Sequence, residues 1–93
     1  MAENSIYLDN TSVNDTATTT EQSFDFRARN IFFMSNDGVE TIIVNFDRDT
    51  TERGAVLLEA GDVINNMPLL VKDTVYIKTV SGTSAFRIIG LVD

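Results

Sequence analysis

Three consecutive stretches decide the fold class: the run Thr-Val-Tyr-Ile-Lys-Thr-Val (residues 74–80), the turn Ser-Gly-Thr (81–83) and the run Ser-Ala-Phe-Arg-Ile-Ile-Gly-Leu-Val (84–92). Both runs are rich in β-branched and aromatic residues, and the turn contains glycine, a pattern typical of a β-hairpin. Because side chains alternate along a strand, Val75 and Ile77 share one face, as do Phe86 and Ile88. Each run therefore has a dry face and a wet face, and the rest of the chain must supply strands that cover the dry one.

Residues 30–35 form a second apolar run, and the turn Asn36-Asp37-Gly38 follows it. Ile42, Val44 and Phe46 then occupy alternate positions of residues 40–46, so the pattern predicts a second hairpin over residues 30–46. The six phenylalanines fall on alternating positions of these and other runs, and we expect them to form the core. They are Phe24, Phe26, Phe32, Phe33, Phe46 and Phe86.

Two further short strands are predicted at residues 55–58 and 63–64, bent around a turn at Gly61. Pro68 cannot donate to a sheet ladder, so residues 69–71 are expected to form an edge or a crossover segment. No stretch combines helical periodicity with a helix cap. The fold class is therefore all-β: a small antiparallel β-sandwich or jelly-roll-like barrel.

The composition excludes several kinds of site. The chain has 93 residues, which predicts one domain, and it contains no histidine and no cysteine. A Ser-His-Asp triad, a thiolate zinc site and a disulfide framework are therefore excluded. The acidic loop at residues 47–54 has Glu52 where an EF-hand loop needs glycine, so a calcium site is not expected there. We expect a protein without catalytic activity, metal or cofactor.

The formal net charge is −7, with a sequence pI near 4.3. Such a chain repels phosphate backbones and anionic lipid, so neither nucleic acid nor a membrane is an expected partner. The sequence also lacks a signal-peptide pattern and an apolar run of membrane-spanning length, so export is not expected.

Residues 1–22 are rich in Ser, Thr and Asn, contain four acidic residues and no Lys or Arg, and have one apolar patch at Ile6, Tyr7 and Leu8. One interpretation is an extended arm that docks these three side chains on a neighbouring molecule. The alternatives are a loose terminus or a first strand of the same sheet. The predicted division is an arm at residues 1–22 and a sandwich domain at residues 23–93.

Two further features are candidates for partner binding. Arg27 and Arg29 lie two residues apart after a short strand, so both can point the same way and clamp a partner's carboxylate, or simply be solvated. The second candidate is the region from Met67 to Leu70, which includes Leu69 and which we expect at a sheet edge.

The order of these elements resembles the small β-sandwich proteins of tailed-bacteriophage virions, which include head-decoration, head-fibre and collar or tail-adaptor components. The resembling residues are an apolar strand with a polar turn (31–38), a second strand (41–46), Leu-Glu-Ala-Gly-Asp-Val-Ile (58–64), Val-Tyr-Ile (75–77), Ser-Gly-Thr (81–83) and Phe-Arg-Ile-Ile (86–89). The longer loop at 47–53 and the acidic N-terminal segment depart from that pattern.

This resemblance implies a structural protein of the virion, assembled in the host cytoplasm and docked on the major capsid protein or another virion protein. It also implies a homo-oligomer, such as a trimer or a ring. Two alternatives stay open at this point. One is a small carbohydrate- or receptor-binding sandwich module, and the other is a bacterial scaffold protein unconnected with phage.

Overall fold

The computed structural model describes residues 10–92, which fold into eight β-strands without a helix in that range. The strands are β1 (Asn10–Ala17), β2 (Gln22–Asp25), β3 (Asn30–Asn36), β4 (Ile42–Phe46), β5 (Val56–Leu58), β6 (Val63–Met67), β7 (Thr74–Thr79) and β8 (Ser84–Leu91).

The strands form two antiparallel sheets of four. The first sheet has the order β1-β8-β3-β6 and the second has the order β2-β7-β4-β5. Every connection between consecutive strands, except that between β4 and β5, crosses from one sheet to the other. This is the strand order of a jelly roll, so the predicted all-β sandwich class is confirmed.

Both predicted hairpins are wrong in their pairing, although their strands lie where the sequence places them. β7 pairs with β2 and β4, whereas β8 pairs with β1 and β3. Likewise β3 belongs to the first sheet and β4 to the second. The turns at residues 37–41 and 80–83 thus join strands that face each other across the core. Gly61 also lies at a crossing, between β5 and β6.

The core lies between the sheets and contains the inward side chains of both. The predicted faces are confirmed, because Val75, Ile77, Phe86 and Ile88 are all fully buried. The other buried apolar residues are Val13, Ala17, Phe26, Ala28, Ile31, Met34, Ile42, Val44, Phe46, Leu58 and Val71.

The phenylalanines divide into two groups. Phe26, Phe46 and Phe86 are buried, and Phe24 packs against the core with its ring 6.1 Å from that of Phe86. Phe33 instead pairs with the outward Ile89 of β8, and the guanidinium of Arg87 lies 5.3 Å from its ring centroid. The expectation that Phe33 is a core residue is therefore wrong. A register shift between Ile31 and Phe33 places Phe33 on the outer face of the sheet. The shift leaves Phe32 as an extra, half-buried residue.

Residues 10–17 are a strand of the sandwich, which was one of the alternatives for the N-terminal segment. β1 pairs with β8 along its whole length, and Val13 and Ala17 are buried. The division predicted between residues 22 and 23 falls inside β2. From Asn10 onward the chain is therefore part of the sandwich. Ile6, Tyr7 and Leu8 lie outside the described residues.

The loops collect at the two ends of the sandwich, and the ends differ in charge. At one end lie residues 18–21, 37–41, 59–62 and 80–83, which contain acidic residues and no Lys or Arg. At the other end lie residues 26–29, 47–55 and 68–73. We call these the acidic end and the cationic end. The cationic end holds five of the seven Lys and Arg residues of the chain, namely Arg27, Arg29, Arg48, Arg53 and Lys72, against four acidic residues, Asp47, Asp49, Glu52 and Asp73.

Candidate interaction surface

At the cationic end, the pairing of β2 with β7 continues beyond both strands. The N–H of Phe26 donates to the carbonyl of Asp73 (2.8 Å), and Ala28 and Val71 exchange two hydrogen bonds of 3.0 and 2.8 Å. Ala28 and Val71 are fully buried and face the core. This extension is thus an ordered two-stranded ladder, and its outward side chains are held by a fixed backbone.

The outward residues of this ladder are Arg27, Arg29, Leu70 and Lys72, and we call them the basic–apolar surface. Arg27 and Lys72 flank the Ala28–Val71 bridge on one side, and Arg29 and Leu70 flank it on the other. All four are exposed, and Leu70 exposes 62% of its surface. Arg27 and Arg29 are both exposed, one on each side of the buried Ala28, and both their common orientation and a role in binding stay predictions.

The charges of Arg27 and Arg29 are not neutralised by ion pairs among residues 10–92. The single ion pair in that range joins Arg87 and Asp37 at 3.9 Å, on the other end of the molecule. A guanidinium without a carboxylate partner offers a planar set of donors to an incoming one.

Of the apolar candidates, Met67 and Leu69 are half-buried and pack against the core. Met67 ends β6, the edge strand of the first sheet, so the predicted edge position is confirmed for it. Leu70 and Lys72 contribute the exposed area instead. The alternation of exposed and buried residues around Val71 is a sequence pattern that indicates the exposure of Leu70 and Lys72. Only the pairing of Val71 with Ala28 brings these two residues near the arginines.

The carboxylate of Asp47 fixes the backbone that leads from the basic–apolar surface into β7. Asp47 has a φ of 63° and accepts hydrogen bonds from the N–H groups of Lys72 (2.7 Å), Asp73 (2.8 Å) and Thr74 (3.1 Å). Partial burial raises the pKa of Asp47, but these hydrogen bonds and the nearby charge of Lys72 outweigh it, so the pKa lies below its ordinary value.

The rest of the 47–54 loop also uses its polar groups internally. The side-chain amide of Asn45 donates to the carbonyls of Asp49, Glu52 and Arg53 at 2.9–3.2 Å. The Asp49 carboxylate accepts from the N–H and hydroxyl of Thr51, and these bonds lower its pKa. The Asp49 carboxylate is therefore engaged in forming the turn of this loop.

Replacing Asp47 with asparagine should lower the free energy of unfolding by about 1 kcal/mol at pH 7, because charged hydrogen bonds to three backbone donors are lost. Asparagine tolerates the positive φ, so the backbone is kept. The folded-state pKa is depressed, so the contribution is present above the unfolded pKa, near 3.9, and is lost as pH falls through the folded value.

Urea unfolding between pH 3 and pH 7 checks this expectation. The stability difference between wild type and Asp47→Asn should shrink as pH falls. The matched control is Asp73→Asn, since no hydrogen bond to that exposed carboxylate is present among the described residues. A stability difference that stays constant across this pH range would contradict the role given to Asp47.

Within residues 10–92 there is no group of three or more His, Cys, Asp or Glu side chains arranged to hold a metal ion. The same range contains no helix with the length and hydropathy needed to cross a bilayer.

Comparison of the chain with protein-family models, with curated proteins and with solved structures finds no match. The resemblance to virion proteins therefore stays a prediction, and the function has to be argued from the fold and the surface of this chain.

Proposed function

We propose that the chain is a non-catalytic structural protein of a bacteriophage virion, which assembles in the host cytoplasm and docks on a larger particle. The place proposed for it is that of a capsid decoration, head-fibre or collar component, present as a homo-oligomer such as a trimer or a ring. Its partners are the major capsid protein or another virion protein, and copies of itself.

The fold supports this proposal by analogy. Eight-stranded jelly rolls serve as viral capsid domains, but also as lectins and cupins, so the strand order alone does not select a function. The observation that carries the proposal is the basic–apolar surface. Arg27 and Arg29, which form no ion pair within the described part of the chain, lie near exposed Leu70, and this combination of charge and apolar area is suited to a protein partner.

The alternative of a carbohydrate-binding module has weaker support. Such modules stack sugar rings on aromatic platforms, and the half-buried aromatic residues Phe33 and Tyr76 lie on the outer faces of opposite sheets. The ring of Phe33 is already covered by Arg87. Binding of the isolated protein to a glycan array would favour this alternative.

The direct test is quantitative mass spectrometry of virions purified from the native source. A copy number of the same order as the major shell protein supports a decoration role, and a small ring-sized number supports a collar or fibre role. Absence of the chain from purified particles would contradict the proposal.

Leu70→Glu should reduce incorporation into particles at least tenfold, because it places an acidic group at the centre of the apolar contact. The matched control is Val39→Glu, which makes the same kind of change at an 81% exposed valine of the acidic end. Incorporation is measured by complementation with each variant followed by mass spectrometry of the particles. Equal incorporation of Leu70→Glu and wild type would exclude this surface from docking.

A further inference from the structure

Residues 1–9, Met-Ala-Glu-Asn-Ser-Ile-Tyr-Leu-Asp, have a chemistry complementary to the basic–apolar surface. They contain Glu3 and Asp9, no Lys or Arg, and the apolar run Ile6, Tyr7 and Leu8. The surface offers the converse combination, an exposed leucine near guanidinium groups that form no ion pair with residues 10–92. Carboxylates can therefore meet Arg27 and Arg29 while apolar side chains cover Leu70.

The point where this segment joins the sandwich lies at the same end of the molecule. Asn10 pairs with Leu91, and the carbonyl of Leu91 accepts the N–H of Arg29 at 2.7 Å. β1 runs from this cationic end towards the acidic end, so at Asn10 the axis of this strand points out of the sandwich at the cationic end. Nine extended residues span about 30 Å, which is enough to reach a neighbouring molecule.

We propose that residues 1–9 of one copy bind to the basic–apolar surface of a second copy. This inference rests on the proposed function and names the partner of the same surface. Each copy then both gives a segment and receives one, which allows closed dimers, trimers or rings without any other protein. Because the contact includes charge pairs near solvent, the association should weaken as salt concentration rises.

The test uses two full-length variants, each of which disables one half of the contact. Arg27→Glu combined with Arg29→Glu reverses the charge of the receiving surface, and Tyr7→Asp combined with Leu8→Asp removes the apolar part of the segment. Sedimentation velocity over a range of protein concentrations gives the association state. Wild type should associate, and each variant alone should have a dissociation constant at least tenfold higher.

The decisive measurement is a mixture of the two variants in equal amounts. The segment variant keeps an intact surface and the surface variant keeps an intact segment, so one contact can form between them. The mixture should therefore yield a 1:1 dimer, whereas neither variant does so alone. Lys78→Glu, a single charge reversal in the middle of the second sheet, should associate like wild type.

A mixture that stays monomeric while wild type associates would overturn the inference, because the segment would not be held by a second copy. A wild-type protein that is monomeric at all concentrations would overturn it as well. In that second case the chain could still be counted in purified virions, so the proposed function and this inference fail in separate experiments.

Discussion

Replacing Asn36 with alanine is expected to lower the free energy of unfolding by about 3 kcal/mol. Asn36 is 1% exposed, and its side chain makes four hydrogen bonds. Its amide donates to the carbonyls of Glu40 (2.7 Å) and Leu58 (2.9 Å), and its oxygen accepts from the N–H of Gly38 (3.1 Å) and the hydroxyl of Ser84 (2.7 Å). Alanine leaves all four partner groups without their bond, at about 1 kcal/mol or more for each one that water does not reach.

The energetic cost is large because these partners belong to different elements. Leu58 ends β5 in the second sheet, and Ser84 begins β8 in the first, so Asn36 ties the two sheets together at the acidic end. A domain of this size has a total stability of about 5–15 kcal/mol. The loss is therefore a substantial part of the whole.

Equilibrium unfolding in urea, followed by circular dichroism, measures the effect. Asn65→Ala is the matched control, since Asn65 is exposed on β6 and should change stability by less than about 0.5 kcal/mol. Asn36→Asp gives a second comparison, because its carboxylate cannot donate to the carbonyls of Glu40 and Leu58. A loss of less than 1 kcal/mol for Asn36→Ala would show that the four bonds are replaced by others.

The same residue shows where prediction from the sequence reaches its limit. Asn36-Asp37-Gly38 after an apolar run is a hairpin signal, and the turn and both flanking strands exist. Whether the two strands that flank such a turn pair in one sheet, or face each other across the core, depends on contacts between residues that are distant in sequence. In a jelly roll nearly all consecutive strands face each other, so a rule that joins sequence neighbours in one sheet predicts the strands and their faces but misses the pairing.

The sequence likewise predicts only some features of the basic–apolar surface. The exposure of Arg27 and Arg29 on either side of the buried Ala28 follows from the period of a strand and is predictable. Their juxtaposition with Leu70 and Lys72 is not, because it depends on the pairing of Ala28 with Val71, which are 43 residues apart and carry no local pairing signal. The side chains of Met67 and Leu69 were predicted to be available to a partner, and their packing against the core leaves Leu70 as the main apolar contact.

Gly90→Ala is expected to destabilise the sandwich by about 2 kcal/mol, because the inner face of β8 has no room for a methyl group there. A Cβ on Gly90 would lie 2.5 Å from the Cβ of Ala28 and 2.8 Å from Cζ of Phe26. Gly90 is buried and lies between Thr11 and Ile31 of the neighbouring strands, so β8 cannot move aside without disturbing both ladders. The 26–28 segment has to shift instead.

That shift connects the packing of Gly90 to the proposed docking, since the displaced segment carries Arg27 between its two buried residues. Ala28→Gly removes the closest clash, so the double variant Gly90→Ala with Ala28→Gly should be more stable than the sum of the two single effects predicts, by about 1 kcal/mol. Urea unfolding of the four proteins measures this coupling. Ala85→Val is the steric control, because it adds bulk to an exposed position of the same strand. If the two effects were simply additive, the clash with the Cβ of Ala28 would not be the cause of the destabilisation by Gly90→Ala, and no shift of the segment that carries Arg27 would follow from it.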